Sequence, residues 1–169
     1  MKKTISILGS TGSIGSNTFK IIDKKKDYFK VKLLSANKNY KLICNQISKY
    51  NPEFFIINNH KIYKKISKKF KNKKTKILND YEKLNFNKKF DITVSAIPGI
   101  AGLRPTIIMT EKSKRMLIAN KESIICGWDL IKKLAKKNDT EIIPIDSEHF
   151  SILNLLKHHK LEEIKKVYI

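Results

Sequence analysis

The stretch Ile5-Ser6-Ile7-Leu8-Gly9-Ser10-Thr11-Gly12-Ser13-Ile14-Gly15 decides the fold. Its largely apolar start reads as a short buried strand, glycines then recur at every third position, and helical spacing begins at Ile14. A strand that runs through a glycine turn into a helix opens a βαβ unit. The first glycine permits a tight turn, the second lets backbone approach a pyrophosphate, and the third allows close helix–strand packing. The helix start then offers unpaired N–H groups and its positive dipole end to phosphate. The spacing is GxxGxxG and not GxGxxG, so a glycine-rich turn with no ligand would look the same. Its place at the head of an alternating chain favours a dinucleotide.

Outward from this turn, apolar runs alternate with amphipathic ones. Strands are expected at residues 4–8, 31–36, 54–57, 91–96, 116–119 and 142–145, with a minor one at 77–78. Helical spacing covers 14–22, with Ile14, Thr18, Ile21 and Ile22 on one side. It returns over 40–50, with Leu42, Ile43, Ile47 and Tyr50 on one face, and Asn51-Pro52 ends it. A lysine-rich helix follows at 62–70, and helical patterns follow the last two strands, the final one around 150–156. Such alternation predicts an α/β fold, a Rossmann-type doubly wound, mostly parallel sheet covered on both faces. Residues 1–145 are expected to form the dinucleotide-binding domain and 146–169 the beginning of a second one. Residues 164–169 look like the start of another strand with no closing element, so the chain is expected to be the first part of a longer protein.

Composition narrows the function classes. Hydrophobic content of 41% and charged content of 30% over 169 residues suit one folded core. No apolar run approaches the ~20 residues of a membrane helix. The short run after Met1-Lys2-Lys3 is too brief for a signal peptide, so a cytoplasmic location is expected. Cys44 and Cys126 lack metal-ligand spacing and are expected as reduced, buried thiols. The net charge of +21 raises the question of nucleic acid. Only Arg104 and Arg115 are arginines among the 36 basic residues, and lysine, isoleucine and asparagine are inflated together. No aromatic platform interleaves the lysines of 61–76, so a solvated lysine face is favoured over a nucleic-acid surface.

The second strand ends in Ser35-Ala36-Asn37-Lys38-Asn39. An acid there would hold the ribose hydroxyl of NAD; its absence, with Lys38 present, favours the 2′-phosphate of NADP. The fourth main strand runs into Pro98, Gly99 and Gly102, a loop over the cofactor crevice. The fifth ends in Asn120-Lys121-Glu122-Ser123, where Lys121 can hold an anionic or carbonyl oxygen; Asn120 as a helix cap explains the pattern equally well. The last strand ends in Asp146-Ser147-Glu148. In an extended segment Asp146 and Glu148 point the same way and can grip a hard divalent ion; an N-cap with acids at a helix start is the competing reading.

Taken together, GSTGSIG at 9–15, AGL at 101–103, ANKES at 119–123 and PIDSEH at 144–149 resemble the 1-deoxy-D-xylulose 5-phosphate reductoisomerases of the non-mevalonate isoprenoid pathway. The resemblance covers the whole chain. It implies NADPH held in a Rossmann domain, a divalent ion (Mg²⁺ or Mn²⁺), a sugar-phosphate substrate and a homodimer. By resemblance Thr11, Gly12, Ser13 and Ile14 match pyrophosphate contacts. Asn37, Lys38 and Asn39 match contacts around the adenosine ribose, although the family often has glycine where Asn37 stands. Asn120 and Glu122 match cofactor contacts, Lys121 a catalytic substrate contact, Ser147 a substrate contact, and Asp146 and Glu148 two metal ligands. The family's third metal carboxylate and most substrate-phosphate ligands lie beyond Ile169, so this span is expected to be inactive alone. Other NADP-dependent dehydrogenases, and a stand-alone NADP-binding module, are the alternatives.

Overall fold

The computed structural model describes residues 1–86, 88–157 and 159–167. Seven parallel strands form one sheet in the order β4-β3-β2-β1-β5-β6-β7. They are β1 (Lys3–Leu8), β2 (Phe29–Ala36), β3 (Phe54–Ile57), β4 (Lys76–Leu78), β5 (Ile92–Ser95), β6 (Arg115–Ile118) and β7 (Glu141–Pro144). The helices are α1 (Ser13–Lys24), α2 (Tyr40–Tyr50), α3 (His60–Lys69), α4 (Leu103–Glu111), α5 (Lys121–Lys137) and α6 (Ser147–Leu156). The chain builds outward from β1 to β4, then returns to the other side of β1 with β5. That reversal opens a crevice at the carboxyl ends of β1 and β5, where doubly wound sheets bind ligands.

The alternating side chains of the strands divide between two cores. Ile5, Ile7, Leu34, Phe55, Ile57 and Val94 pack with α1, α2 and α3 on one face. Leu8, Leu33, Phe54, Ile56, Met116 and Ile118 pack on the other, against Met109 of α4 and Ile131 of α5. Both faces being covered explains why the strands read as continuous apolar runs.

Several expectations need correction. The buried face of α1 is Gly15, Phe19 and Ile22, while Ile14 and Ile21 are exposed. Gly15 must face inward because its backbone lies against the glycine turn, and this rotates the helix away from the isoleucine stripe. In α2 the buried residues are Ile43, Cys44, Gln46 and Ile47, and Leu42 points outward. Cys126 is exposed, on α5, whereas Cys44 is buried as expected. Helix α4 was not anticipated. Pro105 sits in its first turn, where no backbone donor is needed. Residues 164–167 are not in a strand, and residues 168 and 169 lie outside the described residues. Helix α6 buries none of its side chains. No helix among the described residues is long and apolar enough to cross a membrane.

At the amino ends of the strands, Asp91 ties three segments together. Thr4 donates to Oδ2 through both its N–H and its hydroxyl at 2.8 Å, and Lys114 Nζ donates to Oδ1 at 2.8 Å. The Lys114 bond first, opposed by burial and aided by Thr4, holds the carboxyl at about 2. The folded form therefore binds this proton more weakly than the unfolded chain. The stabilisation is complete above the ordinary carboxylate range and is lost as pH falls from about 4 towards 2. Asp91→Asn is expected to cost on the order of 1–2 kcal/mol at neutral pH. In urea titrations across pH 2–7, the variant should also lose less of its remaining stability in acid than the wild type. An unchanged acid limb would assign that limb to other carboxylates.

Candidate cofactor crevice and adjoining carboxylates

A cleft of about 320 Å³ opens at the carboxyl ends of β1, β2 and β5, with Gly9, Thr11, Gly12, Asn37, Tyr81 and Pro98 on its walls. A second, of about 230 Å³, lies beside it, bordered by Ile14, Asn120, Lys121 and Glu122. The two share Ala96, Ile97 and Pro98 as a common wall. Larger hollows of about 640 and 890 Å³ lie at the other end of the sheet. Their walls include the ion pairs Lys114–Asp91 and Arg115–Glu141.

The glycines of the turn are set by contact. Gly9 has φ +79°, and a Cβ on it would sit 2.6 Å from the Ala96 carbonyl oxygen. A Cβ on Gly15 would lie 2.5 Å from the Gly9 carbonyl oxygen and 2.7 Å from Ser10 Cα. Helix α1 thus starts against the backbone of β1's exit. No side chain caps that start, whereas Asn39, Asn59, Asn120 and Asp146 cap α2, α3, α5 and α6. The first-turn N–H groups of α1 are left facing outward beside the exposed Gly12, Ser13 and Ile14.

Three buried side chains that the sequence reading missed hold this turn. Ser35 accepts the Gly9 N–H on Oγ at 3.1 Å and the Ser10 N–H on its carbonyl at 2.8 Å. Tyr81 donates its hydroxyl to Ser35 Oγ at 2.6 Å. Burial pushes the Tyr81 phenol well above its usual range, so it stays a neutral donor. Gln46 reaches from α2 and bonds Ser10 twice. The available signals were a polar residue on the apolar face of α2 and a serine in an apolar strand; a lone tyrosine in a polar segment gave none.

Asn37, Lys38 and Asn39 are all exposed at the exit of β2. Asn39 Oδ1 caps α2 by accepting the Leu42 N–H at 3.1 Å, which leaves its amide nitrogen for other use. Asn120 fits the capping alternative: its Oδ1 accepts the Ser123 N–H. Its Nδ2 donates to the carbonyls of Ile97 and of Gly99, the latter at 2.9 Å. Both amide hydrogens are thereby occupied, and the loop that walls the crevice is pinned to the start of α5. Glu122 is exposed in the first turn of that helix.

The fold brings Lys121 to Glu148, 27 residues apart, in a 2.9 Å ion pair. The expected extended arrangement of Asp146 and Glu148 is not what forms. Asp146 is the N-cap of α6, accepting the His149 N–H at 3.2 Å and facing its Nδ1 at 2.6 Å, and Ser147 begins the helix. A residue that caps must sit at a helix start, which brings Glu148 into the first turn. The two carboxylates still sense each other's charge. Burial raises Asp146, yet hydrogen bonds from His149 outweigh it and leave the carboxyl below its ordinary range. Lys121 lowers Glu148, and Glu148 in turn raises Lys121. Two ionised carboxylates are suitable ligands for a hard divalent ion. Among the described residues no group of three His, Cys, Asp or Glu side chains is placed to hold a metal ion.

The profile of the 1-deoxy-D-xylulose 5-phosphate reductoisomerase family matches residues 5–127. A relative of that name from Pelagibacter ubique is 45% identical over 171 residues, covering 99% of this chain and 44% of the relative. The solved 1-deoxy-D-xylulose 5-phosphate reductoisomerase from Zymomonas mobilis in complex with NADPH superposes with a TM-score of 0.83 at 28% identity, over 94% of this chain and 42% of that one. A DOX-P reductoisomerase in complex with magnesium gives 0.84 at 31% identity, over 98% and 45%. The chain spans less than half the length of the relatives it matches.

Asn120→Ala removes the α5 cap and both loop tethers. It is expected to lower stability by about 2–3 kcal/mol, read from chemical denaturation. Faster amide exchange at residues 97–102 should accompany the loss. Unaltered exchange there would show that the loop is held by other contacts.

Proposed function

Because the chain belongs to the 1-deoxy-D-xylulose 5-phosphate reductoisomerase family, we propose that it forms the NADPH cradle and two metal carboxylates of that enzyme. The reaction is the rearrangement of 1-deoxy-D-xylulose 5-phosphate and its reduction to 2-C-methyl-D-erythritol 4-phosphate. The observation that carries this reading is the uncapped start of α1 against a glycine turn at the switch between β1 and β5. Residues 1–145 are the cofactor domain, and 146–169 begin the part that holds metal and substrate. The family is further expected to work in the cytoplasm as a homodimer, without nucleic acid or membrane.

In this reading Thr11, Ser13 and Ile14 hold the pyrophosphate through backbone N–H groups, and Gly12, whose own N–H goes to the Gly9 carbonyl, lets the backbone approach it. Lys38 meets the 2′-phosphate, with Asn37 and Asn39 beside the ribose. Asn120 acts through the Ile97–Gly99 loop that it pins, next to Glu122. NADPH, when bound, would supply hydride, and Asp146 and Glu148 would hold a divalent ion able to polarise the substrate's oxygens. Lys121, already at Glu148, is placed to orient an anionic or carbonyl oxygen of the substrate, with Ser147 beside it. Both carboxylates stay ionised well into acid, which keeps them available as ligands.

Calorimetric titration tests the cofactor assignment. NADPH is expected to bind more tightly than NADH, and Lys38→Glu should reverse the preference by weakening NADPH about 10-fold or more. Equal affinity for both cofactors in the wild type would overturn the assignment of Lys38. Supplied with substrate, NADPH and Mg²⁺, this span is expected to oxidise no NADPH, because among the described residues no group of three His, Cys, Asp or Glu side chains is placed to hold a metal ion. Steady, substrate-dependent oxidation would refute that.

A further inference from the structure

Gln46 lies on α2, away from the walls of both clefts, and is buried among apolar neighbours such as Ile43 and Ile47. A glutamine there costs stability unless its amide is satisfied. Both of its ends go to one residue. Ser10 Oγ donates to Gln46 Oε1 at 2.7 Å, and Gln46 Nε2 donates to the Ser10 carbonyl at 2.9 Å. Ser10 is fully buried, so neither bond is exchanged with water.

The consequence follows from peptide geometry. The Ser10 carbonyl and the Thr11 N–H belong to one trans peptide unit, in which C=O and N–H point in opposite directions. With the carbonyl drawn down to Gln46, the Thr11 N–H is turned the other way, and Thr11 is a wall residue of the crevice. The neighbouring N–H groups are already used: Gly9 and Ser10 donate to Ser35, and Gly12 donates to the Gly9 carbonyl. The Thr11 N–H is the donor of the 9–12 turn left for a ligand.

We propose that Gln46 is a positioning residue for phosphate binding: by clamping Ser10 it fixes the Ser10–Thr11 peptide so that the Thr11 N–H faces the pyrophosphate of the dinucleotide. This rests on the NADPH reading above and adds a residue that touches neither cofactor nor substrate. The clamp also explains why the position after Gly9 is serine. Alanine would keep the turn and the bond to the carbonyl but lose the hydroxyl bond that holds the other end of the Gln46 amide in place.

The test compares two ligands on folded protein. NADPH carries the pyrophosphate, whereas 2′-AMP carries the adenosine and 2′-phosphate without it. Gln46→Leu is expected to weaken NADPH about 10-fold or more and to leave 2′-AMP within about twofold. Gln46→Glu should do the same, because a carboxylate cannot donate to the Ser10 carbonyl. Ser10→Ala, which keeps one of the two bonds, should show a smaller selective loss of about three- to fivefold. If Gln46→Leu gives no cooperative melt, Ser10→Ala carries the comparison. Equal losses for both ligands would mean a general packing role and overturn the proposal, as would undiminished NADPH binding in folded variants. A wild type that binds 2′-AMP but not NADPH removes the pyrophosphate contact and the proposal with it. A wild type that binds neither ligand overturns the underlying cofactor reading.

Discussion

Everything at the crevice depends on one steric condition: backbone must lie directly against backbone where β1 turns into α1. The Cβ positions of Gly9 and Gly15 fall 2.5–2.6 Å from carbonyl oxygens, closer than any side chain tolerates. A methyl group on Gly9 would press on the exit of β5, and one on Gly15 would move α1 outward. Its amino end would leave the mouth of the crevice, and Phe19 would withdraw from its 4.4 Å stack on Tyr50 of α2. The close approach therefore fixes both the direction of α1 and the packing of α1 on α2. The second of these sets where Gln46 can reach.

Around that contact, a set of buried hydrogen bonds lies at the carboxyl ends of the strands. Ser10, Ser35, Ser95, Thr106, Asn120 and Ser123 are all buried there. Ser95 and Thr106 share a 2.7 Å bond between hydroxyls, and Thr106 also returns a bond to the Gly102 carbonyl. Polar groups removed from water at such density are tolerated because each is satisfied within the network, and a satisfied network specifies one geometry. The apolar middle of the sheet supplies burial; this layer supplies the position of the loops. The ion pair of Lys121 with Glu148 extends the same principle to the surface, joining the exit of β6 to the exit of β7.

The strands were readable from the sequence because burial on both faces writes them as unbroken apolar runs. The glycine turn was readable because the steric demand leaves a composition signature. Helix faces were less so. Ile14 and Ile21 mimic a buried stripe on α1, but the orientation is dictated by Gly15, whose contribution is the absence of a side chain. Helix α4 escaped notice because its inward positions include Pro105, Thr106 and Thr110. The two threonines bury their hydroxyls by bonding carbonyls four residues back, which hydrophobic periodicity does not register. At the candidate site, Lys38, Lys121, Asp146 and Glu148 announced themselves by charge. The distance relation of Lys121 to Glu148 arises only when β6 and β7 lie side by side, whereas the capping role of Asp146 is local and stood in the sequence as the competing reading. Ser35, Gln46 and Tyr81 act through other residues, and nothing in their local sequence states which.

The two outer strands bear on how this protein behaves among copies of itself. A sheet edge exposes unpaired N–H and C=O groups, a template onto which another chain can add a strand. Here β4 is only three residues long and begins with Lys76, and β7 is four residues long and ends at Pro144, which has no N–H to offer. Each edge is thus too short, and at one end chemically blunted, to nucleate a ladder. The net charge of +21 adds repulsion at longer range. The lysine surplus thereby takes on a colloidal role, acting against edge-to-edge growth of a sheet whose outer strands among the described residues are β4 and β7.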